Sequence, residues 1–170
     1  MPRCFFALWP DDDVRNQLEA ISERLPDGCG RRVRIENLHI TLVFLGNIGE
    51  RVVERMRLAV DGFKGRKFSL TLDHNGWWKR PQVIWLGTDE VPEPLGELVA
   101  YLHTVATRHE LRVDSRPYAP HLTLVRKAKR AVHGISFSPI HWNIRDFCLV
   151  QSITHASGAE YRIVQNWALT

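Results

Sequence analysis

The chain predicts an α+β fold: two similar lobes of mainly antiparallel sheet that meet at a cleft, with helices outside. Three observations carry this expectation. The elements read in the order βαβαββαβββ, which lacks the steady strand–helix alternation of a doubly wound parallel sheet. The helical segments have one apolar stripe each, so they pack by a single face. And the phrase His39-Ile40-Thr41-Leu42-Val43 returns as His121-Leu122-Thr123-Leu124-Val125, one copy in each half. At 170 residues, with no linker rich in Pro, Gly or Ser, residues 1–170 read as one domain with a sizeable core.

Phe5 to Trp9 is an apolar run cut off by Pro10 and Asp11-Asp12-Asp13, so it reads as a buried first strand. It is too short for a signal peptide or a membrane span. The aspartates offer an N-cap and negative charge at a helix start. Val14, Leu18, Ile21 and Leu25 then share a helical face, and Pro26-Asp27-Gly28 ends it. Arg31 to Glu36 leads into the first motif strand, His39 to Leu45, closed by Gly46-Asn47. Glu50 to Gly62 forms a second helix, with Val52, Val53, Met56, Ala59, Val60 and then Phe63 on its apolar side. Phe68, Leu70 and Leu72 alternate with polar residues as a half-buried strand, and Val83 to Leu86 form another, ended by Gly87. Pro92 and Pro94 open a third helix whose Leu95, Leu98, Val99, Leu102 and Val105 face the core. Pro117 to Arg126 contains the second motif strand. Two more strands are expected around Ile140–Val150 and Glu160–Leu169.

Hydrophobic residues at 44% and charged residues at 25% describe an ordinary soluble protein. A net charge of +4 suits a polyanionic ligand without demanding one. Cys4, Cys29 and Cys148 are odd in number and form no C-x-x-C pair, so disulfides and a zinc framework are not expected, and a reducing cytoplasm is. There is no P-loop, no G-x-G-x-x-G and no G-x-S-x-G. Nothing calls for more than a monomer.

The repeated phrase carries the chemistry. Side chains alternate faces along a strand, so each copy sets a histidine and a threonine on one face and aliphatic residues on the other. Similarity alone would be weak support; the repeated residue types give it force. Two imidazoles that titrate near neutrality can divide the roles of general acid and general base at a phosphoester, with no metal. Threonine hydroxyls two residues along can bind the phosphate oxygens. A zinc site on His39 and His121 would need further ligands at characteristic spacings, and neither phrase has one nearby.

Basic residues flank both phrases: Arg31, Arg32 and Arg34 before the first, Arg126, Lys127, Lys129 and Arg130 after the second. Most read as solvated loop ends. Arg126 continues the motif strand, and its planar fork matches phosphate oxygens. Strict alternation would aim it at the wrong face, so it must lie past the strand end or beyond a bulge. Trp77 and Trp78, followed by Lys79 and Arg80, read either as an edge-of-core pair in a loop or as a stacking site for single-stranded RNA. His74, His103, His109, His133, His141 and His155 read as solvated or structural.

These residues together resemble the 2H phosphoesterase superfamily, and within it the RNA 2′,3′-cyclic phosphodiesterases once called 2′-5′ RNA ligases. The resemblance rests on Glu36 to Gly46 and Arg116 to Arg126, with support from Arg3 to Pro10, Arg80 to Leu86, and Ser152, Gly158 and Tyr161. It implies a V-shaped cleft between the lobes and hydrolysis of RNA 2′,3′-cyclic phosphate ends to 2′-phosphates, without cofactor or metal. Reverse 2′-5′ ligation is implied by microscopic reversibility. The resemblance casts His39 as general acid and His121 as general base, although the residue types alone leave those roles interchangeable. Thr41, Thr123 and Arg126 would bind phosphate, and Phe44 would stack on the terminal base, as Trp78 could. Arg34 departs from the pattern, since relatives often have Trp there. Two other readings stay open: an RNA or nucleotide-binding module on the same fold, and a phosphodiesterase for a small cyclic nucleotide.

Overall fold

β1 (Arg3–Leu8) is buried at every residue after Arg3, because sheet neighbours flank it and both of its faces are covered. Cys4, Phe6 and Leu8 enter the main core of 38 buried residues, whereas Phe5 and Ala7 join a separate cluster of four. This computed structural model describes residues 1–170. After β1, α1 (Asp12–Glu23) is capped as expected: the Asp11 carboxylate accepts from the Val14 amide at 2.9 Å. Val14, Leu18 and Ile21 are buried. β2 (Arg31–Arg32) and a 3-10 turn at Ile35–Asn37 then lead to β3 (Ile40–Asn47). α2 (Glu50–Val60) buries Val53, Met56 and Val60, while Val52, Ala59 and, past the helix, Phe63 of the expected stripe are only partly buried against the core.

The rest of the chain is β4 (Phe68–Leu72), β5 (His74–Trp78), β6 (Val83–Gly87), α3 (Glu93–Arg108), β7 (His121–Arg126), β8 (Ile140–Ile144), β9 (Asp146–His155) and β10 (Gly158–Ala168). All strand pairings are antiparallel. The main sheet runs β10-β9-β1-β3-β7-β6-β5, with β2 added on β7, and β4 pairs with β8 in a second sheet. This order is nearly a palindrome about the β3–β7 junction. β1 and β6 flank the motif strands, β9 and β5 lie outside them, and α1 and α3 connect corresponding strands. The fold is α+β with two lobes, as expected from the repeated phrase.

Two expectations need correcting. Trp77 and Trp78 lie in a strand, not a loop. His74-Asn75-Gly76 carries turn residues because the Trp85 ring crosses Gly76: a Cβ there would sit 2.2 Å from that ring. And the segment expected as one strand from Ile140 to Val150 is two. Ile140, Trp142 and Ile144 alternate with exposed residues as β8 pairs with β4; past the exposed Arg145 the chain changes sheets and pairs with β1. The period-two pattern ends where the strand becomes covered on both faces.

Candidate active site

The two motif strands share a bulge. Along β3, Phe6 pairs with Val43 and Ala7 with Thr41, so Leu42 has no partner on β1. Along β7, Ile84 pairs with Val125 and Trp85 with Thr123, so Leu124 has no partner on β6. In each case the extra residue is the third after the motif histidine. Leu42 with Val43, and Leu124 with Val125, therefore both turn into the main core. The alternation is reversed, and the fifth residue after each histidine returns to the histidine's face. In the second lobe that residue is Arg126, which meets the condition set by its sequence position. In the first lobe it is Phe44, 44% exposed, with the Arg3 guanidinium 4.9 Å from its ring centre.

β3 and β7 touch at one register pair, Ile40 with Leu122. These are the residues that follow the two histidines. Extending that register by one residue each way sets His39 against Thr123 and Thr41 against His121. Two histidines and two threonines thus occupy the same face of one sheet at the lobe junction. Their electrostatics agree, since the charges of Arg126 and His121 both act on His39.

Each imidazole is held by the same device. Nδ1 of His39 lies 2.7 Å from the Asn37 carbonyl, and Nδ1 of His121 lies 2.8 Å from the Ala119 carbonyl. A carbonyl only accepts, so each Nδ1 carries a proton and each Nε2 is left to exchange one. Nε2 of His39 lies 3.2 Å from the Thr41 hydroxyl.

The surroundings differ. His39 stacks on Phe5 at 4.9 Å and on Trp9 at 5.2 Å, and Tyr161 meets it edge-on at 5.2 Å. Phe5 belongs to the small apolar cluster with Ala7, Cys148 and Val150, and Trp9 and Tyr161 pack against that cluster. This desolvation, with repulsion from Arg126 and His121, lowers the His39 pKa to about 4 against its Asn37 hydrogen bond. His121 meets the edge of Trp78 at 4.5 Å, and Trp78 packs on Trp85 at 4.9 Å. Its pKa is lowered too, by partial burial first and by Arg126 as well, against the Ala119 hydrogen bond.

Trp77 and Trp78 are divided between the two faces of β5. Trp77 packs against the main core and donates its indole N–H to the Ala128 carbonyl at 2.8 Å, while Trp78 borders His121. Arg32 is structural: its guanidinium bonds the Ser22 and Leu25 carbonyls at the C-terminal end of α1. Arg34 reaches the Ser157 carbonyl and helps line a cavity of about 290 Å³ that it shares with Asn37, Gly158 and Tyr161. The other histidines serve elsewhere: His74 bonds Asp73 and Asp89, His103 the Asp114 carbonyl, His141 the Thr71 hydroxyl and His155 Glu160. His109 caps the end of α3, and His133 is exposed. No three His, Cys, Asp or Glu side chains are grouped as metal ligands. The three cysteines are free and buried. No helix is long and apolar enough to cross a membrane.

Sequence reasoning had no means of finding Trp9 or Phe5 as walls of the His39 site, because no local pattern marks a residue that is adjacent only across β1 and β3. Tyr118 was missed for the same reason. It is half-buried beside the second motif and donates its hydroxyl to the Thr41 carbonyl at 3.1 Å, tying the lobes together.

Two half-molecules that each deliver a histidine and a threonine to one face define a two-histidine phosphoesterase. The LigT-like phosphoesterase model matches the chain twice, at residues 8–85 and 86–161, one match per half. The chain belongs to the LigT-like phosphoesterase family, the 2H phosphoesterases, and is an enzyme of that class. It is 33% identical to the RNA 2′,3′-cyclic phosphodiesterase of Escherichia coli over 99% of this chain and 97% of the relative. A relative of the same name from Thermotoga maritima is 29% identical over 95% of this chain and 92% of its own length. The crystal structure of E. coli LigT complexed with 3′-AMP superposes with a TM-score of 0.90 at 32% identity, covering 100% of this chain and 99% of that one.

Proposed function

We propose that the protein hydrolyses 2′,3′-cyclic phosphate ends of RNA to 2′-phosphates, using His39 and His121 as a proton-transfer pair. The observation that carries this reading is the matched pair of Nε2 atoms on one sheet face, each oriented by its own Nδ1–carbonyl bond. Relatives named RNA 2′,3′-cyclic phosphodiesterase supply the substrate class, and the 3′-AMP complex of E. coli LigT shows a nucleotide on this fold. In the reaction, a water attacks phosphorus in line with the departing 3′ oxygen. His121 takes the water's proton, and His39 delivers one to the 3′ oxygen as the P–O bond breaks. The Thr41 and Thr123 hydroxyls and the Arg126 guanidinium hold the non-bridging oxygens, where charge grows in the transition state. Phe44 and Trp78 offer stacking faces for bases. With a 5′ hydroxyl in place of water, the same displacement would form a 2′-5′ phosphodiester: the P–O bond to the 3′ oxygen breaks, that oxygen takes a proton, and the 5′ hydroxyl gives one up, with hydrolysis prevailing in water.

His39 at a pKa of about 4 is neutral at pH 7 in the free protein, which an acid cannot be when it acts. An anionic phosphodiester beside the ring favours its charged form, against the desolvation that lowers the pKa first and the repulsion from Arg126 and His121 that adds to it. The proton that His39 donates thus arrives with the substrate or after it. We further read residues 1–170 as one unit that works as a monomer in a reducing cytoplasm, without metal or cofactor.

The test is turnover of a short RNA with a 2′,3′-cyclic phosphate end in EDTA, with the product analysed. Formation of the 2′-phosphate is expected. Binding without product at high protein concentration would instead indicate a binding module, and loss of activity in EDTA would end the metal-independent mechanism. Comparing a cyclic mononucleotide with the RNA separates a small-nucleotide enzyme from one that acts on RNA.

A further inference from the structure

Three backbone segments meet at the outer end of the second lobe. Arg31 of β2 pairs directly with Arg126 of β7. Gly30 lies so close that a Cβ on it would sit 2.6 Å from the Arg126 carbonyl oxygen and 3.1 Å from the Ala128 nitrogen. Ala128 is fixed from the other side: its amide donates to the Gln82 carbonyl at 2.9 Å, and its carbonyl accepts from Trp77. Residues 30–31, 79–82 and 126–130 therefore form one continuous surface.

Beyond Arg126, that surface presents Arg31, Lys79, Arg80, Lys127, Lys129 and Arg130, all exposed. None has a carboxylate partner, although Arg15, Arg32, Arg57, Arg66 and Arg116 elsewhere all do. The three segments also contain no acid: none occurs between Asp27 and Glu36, between Asp73 and Asp89, or between Asp114 and Asp146. Like charges directly opposite across a β pair, such as Arg31 and Arg126, are destabilising unless an anion lies between them. The cationic face also joins the catalytic site without a break. Arg126 belongs to both, and Lys79 and Arg80 follow directly on Trp78, whose ring borders His121.

We propose that this face is a track for the phosphate backbone of single-stranded RNA, on the 5′ side of the cyclic end held between the histidines. The inference rests on the proposed activity and deepens it. A groove of cations beside an aromatic ring is the general design for binding single strands without sequence preference. The continuity with the reacting phosphate favours the substrate's own chain over an acidic protein or an anionic membrane.

The test compares a 2′,3′-cyclic mononucleotide with a ten-nucleotide RNA ending in the same nucleotide, for the wild type and for the triple variant Lys79→Gln, Lys129→Gln, Arg130→Gln. The variant is expected to raise KM for the RNA about tenfold at low salt, with kcat held, and to leave the mononucleotide kcat/KM within about twofold, which also shows that it folds. Anisotropy with an RNA ending in a 2′-phosphate reads binding apart from turnover. The slope of log Kd against log salt should shrink by roughly 2, about 0.7 for each lost cation. Unchanged RNA binding, or equal losses on both substrates, would overturn the track. So would intact RNA binding with lost adsorption to phosphatidylserine vesicles, which would assign the face to a membrane. Absence of turnover on both wild-type substrates would sink the activity, and the anisotropy would still decide the track.

Discussion

The two lobes start from the same local design and place it in different surroundings. In both, a histidine bonds the carbonyl two residues before it, a threonine follows two residues later, and a bulge at the third residue turns the fifth back to the same face. In the first lobe the ring lies among Phe5, Trp9 and Tyr161, and Phe44 stands at the fifth position. In the second the ring meets the edge of one tryptophan, and Arg126 stands there. The difference teaches that a duplicated strand can set two like imidazoles on one face in unlike environments. What distinguishes them is the dielectric around each ring and the charge at a single position.

Exchanging either histidine is the strongest way to break the comparison. His39→Ala and His121→Ala should each lower kcat on a cyclic-phosphate RNA by roughly 10²–10⁴-fold, the usual loss of one general acid or base. Near-wild-type turnover in either variant would show that the two lobes do not share the chemistry.

Acid titration sharpens it next. His39 should titrate near 4 by NMR, move up when phosphate is added, and remain distinct from His121. Because the folded pKa lies below the unfolded 6.5, the unfolded chain takes up the proton first. Stability is therefore untouched above pH 6.5 and is lost as pH falls from there toward 4. The full loss is roughly 3 kcal/mol at the low end. Chemical denaturation across that window should show the slope, and His39→Gln should flatten its share of it. A His39 midpoint near 6.5 would mean that the aromatic walls do not desolvate the ring.

The fifth positions come third. Arg126→Gln should lower kcat by about 10²-fold, the scale for losing one transition-state donor. Phe44→Ala should act mainly on KM, by about 1–2 kcal/mol for one lost stacking face. Equivalent effects on kcat would erase the distinction between a phosphate contact and a base contact.

Least direct in its effect on the site is Gly76→Ala, which has no counterpart in the first lobe. A Cβ there would meet the Trp85 ring at 2.2 Å. Displacing Trp85 should cost about 1–3 kcal/mol in denaturant and disturb Trp78 beside His121. Stability and tryptophan fluorescence equal to wild type would show that the Gly76 contact does not position that wall.

Much of the site was legible because strand chemistry is local. A histidine and a threonine two apart must share a face whatever the fold around them, so His39, Thr41, His121 and Thr123 could be grouped from the sequence. Arg126 could be named but not placed, since a bulge is decided by how β7 registers on β6. The helices were legible from their stripes and from the Asp11 cap. β5 was not, because its glycine serves a ring on the neighbouring strand.

The amino-acid sequence by itself determined the residue types, the two equivalent halves and the alternation that separates polar from core faces, because each depends on spacings within a few residues. Only the tertiary structure decided that both strands cross at Ile40 and Leu122, that Phe5, Trp9 and Tyr161 enclose one ring and not the other, and that Arg31, Lys79 and Lys129 lie on one surface. Those outcomes join residues tens of positions apart, and they are set by strand register and by which side chains compete for the same space.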